Sequence, residues 1–280
     1  VSEAKRLVKL YSGIVEEGCL VENAMRFFCI PEAPLAFYEV FIRFDRRRIN
    51  FADAIRDASN WFTTFPEYKP CLPPAAAYEP LYSTWYNFHQ NVFDHEIEAE
   101  CAIAAKLGMK SIILDDGWQT EDTHRGYAYC GDWAVSPRRF PDMHGHVAKI
   151  HALGMKYLVW YSVPFVGFES AALERFHGKF LNEAVGLHAY VLDPRFPEVR
   201  DYLIGTYEQA LLDWDIDGFK LDFIDRFTTP NPDPAVAEHY AGRDIMTVSE
   251  AVDVLLSETM KRLKKIKPDI LIEFRQSYIG

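Results

Sequence analysis

Carboxylates and a lysine stand at the ends of two segments that resemble buried strands. The apolar run 110–114 is followed by Asp115 and Asp116, and a later apolar run ends in Lys220 and Asp222. Because alternate side chains of a strand point to the same face, Lys220 and Asp222 lie on one side. Burying both charges without a functional reason would cost free energy, so this pair indicates an active or binding site. The Asp-Asp-Gly sequence is also ordinary turn chemistry, and taken alone it leaves both interpretations open.

Tryptophans accompany the same strand ends. Trp85 lies near the end of the first predicted strand, Trp118 follows the second, and Trp160 lies in the third. Flat apolar rings can stack on the C–H faces of a pyranose, while carboxylates bind its hydroxyls and carry out the chemistry. This combination is typical of a glycosidase site. Aromatic residues make up 15% of the chain, however, and composition alone does not separate a sugar cleft from core packing.

The elements that must position these residues alternate between strand and helix. Five parallel strands are predicted, at about 82–86, 110–114, 156–163, 217–222 and 270–274. An internal repeat supports this alternation of strands and helices. A helix end, a glycine cap and a strand at 107–114 recur at 153–160. A barrel needs eight strands, so we expect a (β/α)8 barrel, apparently truncated after the fifth strand, over residues 76–280.

Residues 1–75 differ from the rest of the chain in their pattern of residue types. Phe, Val, Ile and Tyr are frequent in Val21–Ile30 and Leu35–Phe44, which predicts two strands. Asn50 offers an N-cap for a helix over Phe51–Phe62, and a proline-rich connector follows. We therefore expect the C-terminal part of a β-sandwich-like domain and a linker helix before the barrel.

Helix signals recur within the barrel region. Asp94 is placed to cap a helix that ends at Gly108, and a capping box runs from Thr247 to Glu250. A long loop from Gln119 to Trp133 follows the second predicted strand.

Composition and charge exclude several classes of function. A net charge of −11 argues against a nucleic-acid partner, and no apolar run reaches the length of a membrane span. Five widely spaced cysteines form no C-x-x-C pair, and the polar first residues are unlike a signal peptide. These features slightly favour a cytoplasmic location and leave both the compartment and the oligomeric state open.

No cofactor or metal is expected. The spacing of His144 and His146 is not that of helical metal ligands, and no carboxylate stands at a matching offset. The chain also contains no G-x-G-x-x-G loop that could hold phosphates.

An ordered series of short motifs gives the chain a family resemblance. They are Trp85, Leu114-Asp115-Asp116-Gly117-Trp118, Gly131-Asp132-Trp133, Arg139-Phe140-Pro141, Gly154-Met155-Lys156, Trp160 and Lys220-Leu221-Asp222. In this order and spacing they resemble the α-galactosidase (melibiase, raffinose-synthase) superfamily of retaining glycoside hydrolases over about residues 50–275. The resemblance implies a β-sandwich, a catalytic barrel and a C-terminal β domain.

The resemblance also implies a role for each motif residue. Asp222 would be the nucleophile that cleaves terminal α-D-galactosyl residues by double displacement, and Lys220 would bond the hydroxyls beside the reacting carbon. The remaining residues would bind the sugar of an α-galactoside: Asp115 and Asp116 through the 4- and 6-hydroxyls, Trp85 and Trp160 as walls, Trp133 near the 6-hydroxymethyl group, and Trp118 beside them.

Three departures from the family pattern bear on activity. The family often has Glu-Pro-Glu after its third-strand tryptophan, whereas this chain has Tyr-Ser-Val-Pro-Phe at 161–165. A Cys-Ser-Gly-Gly-Gly loop after the fifth strand is replaced by residues 274–278. The family's general acid follows a sixth strand, so we expect the 280 residues to lack it and to turn over slowly. Glu273 and Asp225 are expected to be structural rather than substitutes.

Four alternatives to an α-galactosidase remain open. Two are sibling specificities, namely galactosyl transfer of the raffinose-synthase type and removal of α-N-acetylgalactosamine. Another is a metal-dependent barrel enzyme in which Asp115, Asp116 and Asp222 hold a divalent cation. The last is a sugar-binding protein without turnover.

Overall fold

The computed structural model describes residues 8–29, 36–124, 126–229 and 241–275. The described residues form two compact units, which divide between Leu72 and Pro73. Predictions that concerned residues 30 and 35 and the loop 276–278 lie outside the described residues.

The first unit contains a hairpin and one helix. Strands β1 (Lys9–Val15) and β2 (Leu20–Arg26) pair antiparallel across a 3-10 turn at Glu16–Gly18. Helix α1 (Phe51–Phe62) begins as predicted, because the Asn50 side chain accepts a hydrogen bond from the Ala52 N–H at 2.9 Å. The strand predicted over Leu35–Phe44 was wrong for residues 36–44, which pair with no neighbouring strand among the described residues. That this unit ends a β-sandwich stays a prediction.

The second unit is built on a parallel sheet of five strands, joined by helices. The strands are β3 (Leu81–Ser83), β4 (Ser111–Leu114), β5 (Lys156–Ser162), β9 (Gly218–Asp222) and β10 (Leu271–Phe274). They lie in the order β3-β4-β5-β9-β10, each parallel to its neighbours. The helices are α2 (Trp85–Phe88), α3 (Asp94–Lys106), α4 (Met143–Ala152), α5 (Ala172–Arg175), α6 (Pro197–Trp214) and α7 (Val248–Ile266). The expected partial β/α barrel, preceded by a β-rich region, is confirmed.

Sequence chemistry explains how these elements begin and end. Every residue of β4 is buried, as a strand covered on both faces requires. Gly108 and Gly154 take φ angles of 93° and 76° after α3 and α4, which are the predicted glycine caps. The predicted capping box at α7 is also present, since the Thr247 hydroxyl accepts the Glu250 N–H at 3.2 Å. The predicted cap at Asp94 was wrong, because Asp94 is the first residue of α3 and its carboxylate accepts the N–H of its neighbour.

A small antiparallel sheet is inserted between β5 and α6. It consists of β6 (Phe165–Gly167), β7 (Phe180–Ala184) and β8 (Ala189–Leu192), in the order β6-β8-β7. The sequence analysis did not predict it, because strands of three to five residues give no extended alternation. Among the described residues, no helix is long and apolar enough to cross a membrane.

Candidate active site

The strand register places four functional side chains in one row across the sheet. Trp160 of β5 is paired with Lys220 of β9, which is paired in turn with Glu273 of β10. Leu114 is paired with Val159, so Asp115 follows as the neighbour of Trp160. Paired residues of adjacent strands point to the same face, and alternate residues of a strand do so too. Asp222, two residues after Lys220, therefore lies one step further along the same face.

Lys220 lies between two carboxylates of this row. Its Nζ donates to Asp115 Oδ2 at 2.7 Å and lies 3.7 Å from Asp222 Oδ2. Burial by itself lowers the pKa of Lys220, but attraction to Asp115 and then Asp222 outweighs burial and raises the pKa. The ammonium form of Lys220 is therefore favoured, and its positive charge offsets the repulsion between the Asp115 and Asp222 carboxylates.

The Asp222 carboxylate is fixed by two N–H donors and still reaches solvent. Trp160 Nε1 donates to Oδ2 at 3.0 Å, and the backbone N–H of Phe223 donates to Oδ1 at 2.7 Å. The side chain of Asp222 keeps 16% of its accessible surface. Phe223 has a φ of 63°, a left-handed conformation that a bulky residue adopts rarely and that is concentrated at functional sites. The carboxylate is therefore held in one orientation.

Asp116 is buried between two amides. Its Oδ2 accepts from Gln90 Nε2 and its Oδ1 accepts from Gln119 Nε2, both at 2.7 Å. Burial raises the pKa of Asp116 to about 6, although the two amide hydrogen bonds oppose this shift. Gly117 makes the clamp possible, because its φ is 114° and a Cβ there would lie 2.7 Å from Gln90 Cα. The buried guanidinium of Arg139 donates to the Gln90 carbonyl oxygen and fixes that side of the clamp.

Two of the predicted sugar-binding tryptophans form a layer behind Trp160. Trp118 has no accessible surface, and its Nε1 donates to the Trp160 carbonyl oxygen at 2.9 Å. Trp133, 6% exposed, stacks on Trp118 with ring centroids 6.0 Å apart and lies 6.1 Å from the Trp160 ring. These two indoles support Trp160 from the core.

Trp85 directly follows Thr84, whose hydroxyl accepts the Asp115 N–H at 2.9 Å. It was expected at the end of the first strand, but β3 ends at Ser83 and Trp85 begins the short helix α2. Its ring packs edge-on against His89, with centroids 5.1 Å apart. The structure thus brings together Asp115, Lys220, Asp222 and Trp160, with Asp116 beside Asp115, and leaves Trp85 outside their hydrogen bonds.

Tyr127 is a site residue that the sequence analysis did not single out. It comes from the long loop 119–133 and stacks on Trp160, with ring centroids 6.0 Å apart and planes at 27°. Its ring also lies 5.0 Å from that of Phe223. Burial raises the pKa of Tyr127, and the nearby Asp116 charge raises it further. The sequence showed a long loop at 119–133, but nothing in the loop singled out Tyr127.

Glu273 ends the row on the far side of Lys220. The pKa of Glu273 is raised, first by burial of the carboxylate and then by the charges of Asp222 and Asp115. Lys220 and Arg275 partly offset these effects. Asp225 lies in the 3-10 turn Ile224–Arg226 that follows β9.

The histidines considered as metal ligands have separate partners. His146 is buried and lies 3.0 Å from both Glu98 Oε1 and the Tyr157 hydroxyl, whereas His144 contacts the Asp213 carbonyl oxygen at 3.2 Å. Within the described ranges, no group of three or more His, Cys, Asp or Glu side chains is arranged to hold a metal ion.

Comparison with known proteins gives one family and several partial relatives. The model of the Melibiase family matches residues 79–277. The chain is 29% identical to α-galactosidase Mel36A of Lactobacillus acidophilus over 151 residues, which are 51% of this chain and 19% of that protein. It is also 29% identical to the A type blood α-D-galactosamine galactosaminidase of Flavonifractor plautii over 135 residues, 42% of this chain and 12% of that protein. The chain thus spans a fifth or less of the length of these two relatives.

A solved structure shares the fold of most of the chain. It is a variant of the GH36 α-galactosidase AgaA of Geobacillus stearothermophilus in complex with raffinose. The superposition has a TM-score of 0.61 and 21% sequence identity, and it covers 74% of this chain and 29% of AgaA. At this identity the likeness concerns the fold.

Proposed function

The chain belongs to the melibiase family, and from this premise we propose that it carries the nucleophile half of a retaining α-galactosidase site. The substrate would be a terminal α-D-galactosyl residue of an oligosaccharide or glycoconjugate. Support comes from the names of the relatives, since Mel36A is an α-galactosidase and the AgaA variant holds raffinose. The proposal goes further than these names, because it assigns a mechanism and residues.

The oriented carboxylate of Asp222 is the observation that carries the proposal. A retaining glycosidase needs a carboxylate that attacks the anomeric carbon and forms a covalent glycosyl-enzyme, which water then hydrolyses. Asp222 meets this need, because Trp160 Nε1 and the Phe223 N–H fix both of its oxygens while the side chain remains accessible. The carboxylate loses its negative charge when it bonds to the sugar and regains it when that bond breaks. The Trp160 and Phe223 N–H donors bind the charged form more strongly, so they also influence how readily the glycosyl-enzyme bond breaks.

Asp115 and Asp116 are the proposed acceptors for sugar hydroxyls. The Asp116 carboxylate accepts from the two amides and also from the Gly117 N–H. A carboxylate has about four lone-pair sites, so capacity for one sugar hydroxyl remains. Asp115 Oδ2 accepts from Lys220, and Asp115 Oδ1 accepts the N–H of Asp116. The two carboxylates are thus rigid, and rigid acceptors can discriminate an axial from an equatorial hydroxyl.

The general acid is assigned to none of the described residues. In a retaining enzyme the acid lies about 5–5.5 Å from the nucleophile, on the side of the leaving oxygen. Glu273 has the raised pKa that an acid requires, but it lies in the row of Lys220, below Asp222 along the strand direction. We propose that Glu273 helps to position the Lys220 ammonium group.

The position of Lys220 favours a sugar over a divalent cation. A metal held by Asp115, Asp116 and Asp222 would have to lie among their oxygens. The Lys220 ammonium group already lies 2.7 Å from one of these carboxylates and 3.7 Å from another. Bringing a second, doubly charged cation to this place would be repulsive.

The reaction is tested by following the sugar that is released. With p-nitrophenyl α-D-galactopyranoside as substrate, ¹H NMR should show α-galactose first and the β anomer only after mutarotation. β-Galactose as the first product would mean inversion and would exclude a glycosyl-enzyme. Matched substrates with 2-acetamido and 2-amino groups decide the sibling specificity, which the galactosaminidase relative favours.

Azide rescue tests the role of Asp222. In Asp222→Gly the attacking carboxylate is gone, and azide can enter the space and attack the activated galactoside. We expect β-galactosyl azide from Asp222→Gly and none from Asp225→Asn, a matched change of a nearby carboxylate. If Asp225→Asn loses activity and Asp222→Gly retains it, the assignment is wrong.

A further inference from the structure

A cavity of about 780 Å³ lies along helix α6, apart from the candidate active site. One wall is α6 from Pro197 to Trp214, and the other is formed by Asp132, Trp133, Tyr161 and Arg175. None of the site carboxylates lines the cavity. Its size is within the range of small-molecule sites, which is 300–1,000 Å³.

Four aromatic side chains line this α6 cavity, namely Trp133, Tyr161, Tyr202 and Trp214. Trp214 and Tyr202 are half-buried, and Trp133 is at the inner end. Trp214 packs edge-on against Trp118, 5.4 Å between centroids, and the Arg175 guanidinium lies 4.8 Å above the Tyr202 ring. These contacts fix the rings and cover part of them, so the half-buried rings of Trp214 and Tyr202 provide most of the aromatic surface that the cavity presents.

The polar groups of the α6 cavity are mainly hydrogen-bond acceptors. Its lining holds four carboxylates and a single cation, Arg175, which is 3.5 Å from the carboxylate of Glu198. Asp213 accepts from Gln209 Nε2 at 2.7 Å and is exposed, so it has lone pairs to spare. Glu198 and Asp201 also pair with Lys179 and Arg262, at 2.9 and 3.1 Å, so the excess negative charge rests mainly on Asp132 and Asp213. It disfavours an anionic ligand. A ligand rich in hydroxyl donors, with apolar faces for the rings, fits the lining.

The inner wall also contains an unsatisfied hydroxyl. Tyr161 is 1% exposed, and its buried OH has no hydrogen-bond partner among the described residues. This oxygen has essentially no accessible surface, so a ligand in the cavity would contact the Tyr161 ring and not its hydroxyl.

We propose that the α6 cavity is a second saccharide-binding site, which takes a neutral oligosaccharide. Aromatic faces with acceptors beside them are the chemistry by which proteins hold sugars, since the rings cover C–H faces while carboxylates and amides bind hydroxyls. The proposed site is formed by the lining of the α6 cavity alone, so binding there does not depend on Asp222. It would hold an oligosaccharide on the outside of the barrel, one aromatic layer away from Trp160, which Trp133 contacts.

Gly205 provides a clean way to block this site. It lines the cavity from within α6, and a Cβ placed on it would meet no atom within 4 Å. Glycine is a poor helix former, so a larger residue here should fold at least as well. Gly205→Phe should fill the cavity, while Gly205→Ala is the matched control that leaves it open.

Equilibrium dialysis with labelled raffinose tests the proposal. In an Asp222→Asn background, which prevents turnover, we expect Gly205→Ala to bind as the parent does and Gly205→Phe to lose one component of binding by more than tenfold. Thermal melts followed by circular dichroism verify that both variants fold. Unchanged raffinose binding by a folded Gly205→Phe, or no binding by the parent, would overturn the proposal.

Asp116→Ala separates this inference from the proposed function. Asp116→Ala should remove the component of raffinose binding that belongs to the candidate active site, and Gly205→Phe should remove the component that belongs to the α6 cavity. Binding that responds to Gly205→Phe alone would support the second site and count against the galactoside site. Binding that responds to Asp116→Ala alone would do the reverse.

Discussion

Replacing Asp116 by asparagine is expected to stabilise the protein while it abolishes galactoside binding at the candidate active site. The Asp116 carboxylate is 1% exposed, and burial raises its pKa from the ordinary 3.8 to about 6. A pKa difference of about 2 corresponds to about 3 kcal/mol at 1.36 kcal/mol per unit, which is the cost of keeping the charge buried at neutral pH. Asparagine has nearly the same shape, and its oxygen can accept from Gln119 as the carboxylate does. Gln90 can turn its oxygen to the new NH2 group, at the cost of its 3.3 Å hydrogen bond to the Gly126 carbonyl oxygen. We expect the free energy of unfolding to rise by up to about 3 kcal/mol.

The gain should depend on pH in a defined way. A carboxyl with a raised pKa in the folded state destabilises the protein only where it is ionised. The gain from Asp116→Asn should therefore be complete above about pH 6 and vanish below about pH 4. Urea unfolding followed by circular dichroism, near pH 7.5 and near pH 4, measures both values. A loss of stability near pH 7.5, or an equal gain at both pH values, would refute the reasoning.

Asp217→Asn is the control of opposite sign. Asp217 is buried too, and burial raises its pKa, but hydrogen bonds from the Tyr157 N–H and His151 and attraction to two lysines outweigh this, so the pKa is lowered. Its contribution to stability is present above about pH 4 and is lost as the pH falls through its folded pKa. Asp217→Asn should therefore destabilise the protein near pH 7.5, where Asp116→Asn stabilises it.

Further predictions concern the nucleophile, the amide clamp and the cation. Trp160→Phe keeps an aromatic ring but removes the N–H donor to Asp222, so kcat should fall by about tenfold to a hundredfold with little change in KM, measured by steady-state kinetics. Gly117→Ala should lower the free energy of unfolding by more than about 1 kcal/mol in urea, because alanine is strained at a φ of 114°. Excess chelator should leave galactosidase activity unchanged, because Lys220 supplies the cation, and activity that is lost and then restored by Mg²⁺ would favour the metal alternative.

The row of site residues could be predicted because it follows from short-range periodicity. Lys220 and Asp222 share a face since side chains alternate along a strand, and Asp115 joins them since parallel strands end at one edge. Helix ends were also readable where a local side chain makes the cap, as at Asn50 and Thr247. In these cases the interaction spans only a few residues, so the sequence contains both partners side by side.

Other site residues depend on contacts that the sequence does not display. Gln90 is separated from Asp116 by 26 positions, and Tyr127 reaches Trp160 from a loop without any periodic pattern. The burial of Trp118 was equally hidden, because a sugar cleft and a hydrophobic core both favour an indole. Aromatic and β-branched residues also gave a false strand at 36–44, since strand propensity does not supply the neighbour that a strand must pair with.

Covalent trapping of Asp222 tests the central claim most directly. The protein is incubated with 5-fluoro-α-D-galactosyl fluoride, whose fluoride leaves with little help from an acid, and the adduct is located by peptide mass spectrometry. We predict a galactosyl adduct on the peptide that contains Asp222 and none in Asp222→Asn, with Asp225→Asn labelled like the parent. An adduct on another carboxylate, such as Asp116 or Glu273, or an unlabelled protein that hydrolyses α-galactosides with retention, would contradict the assignment.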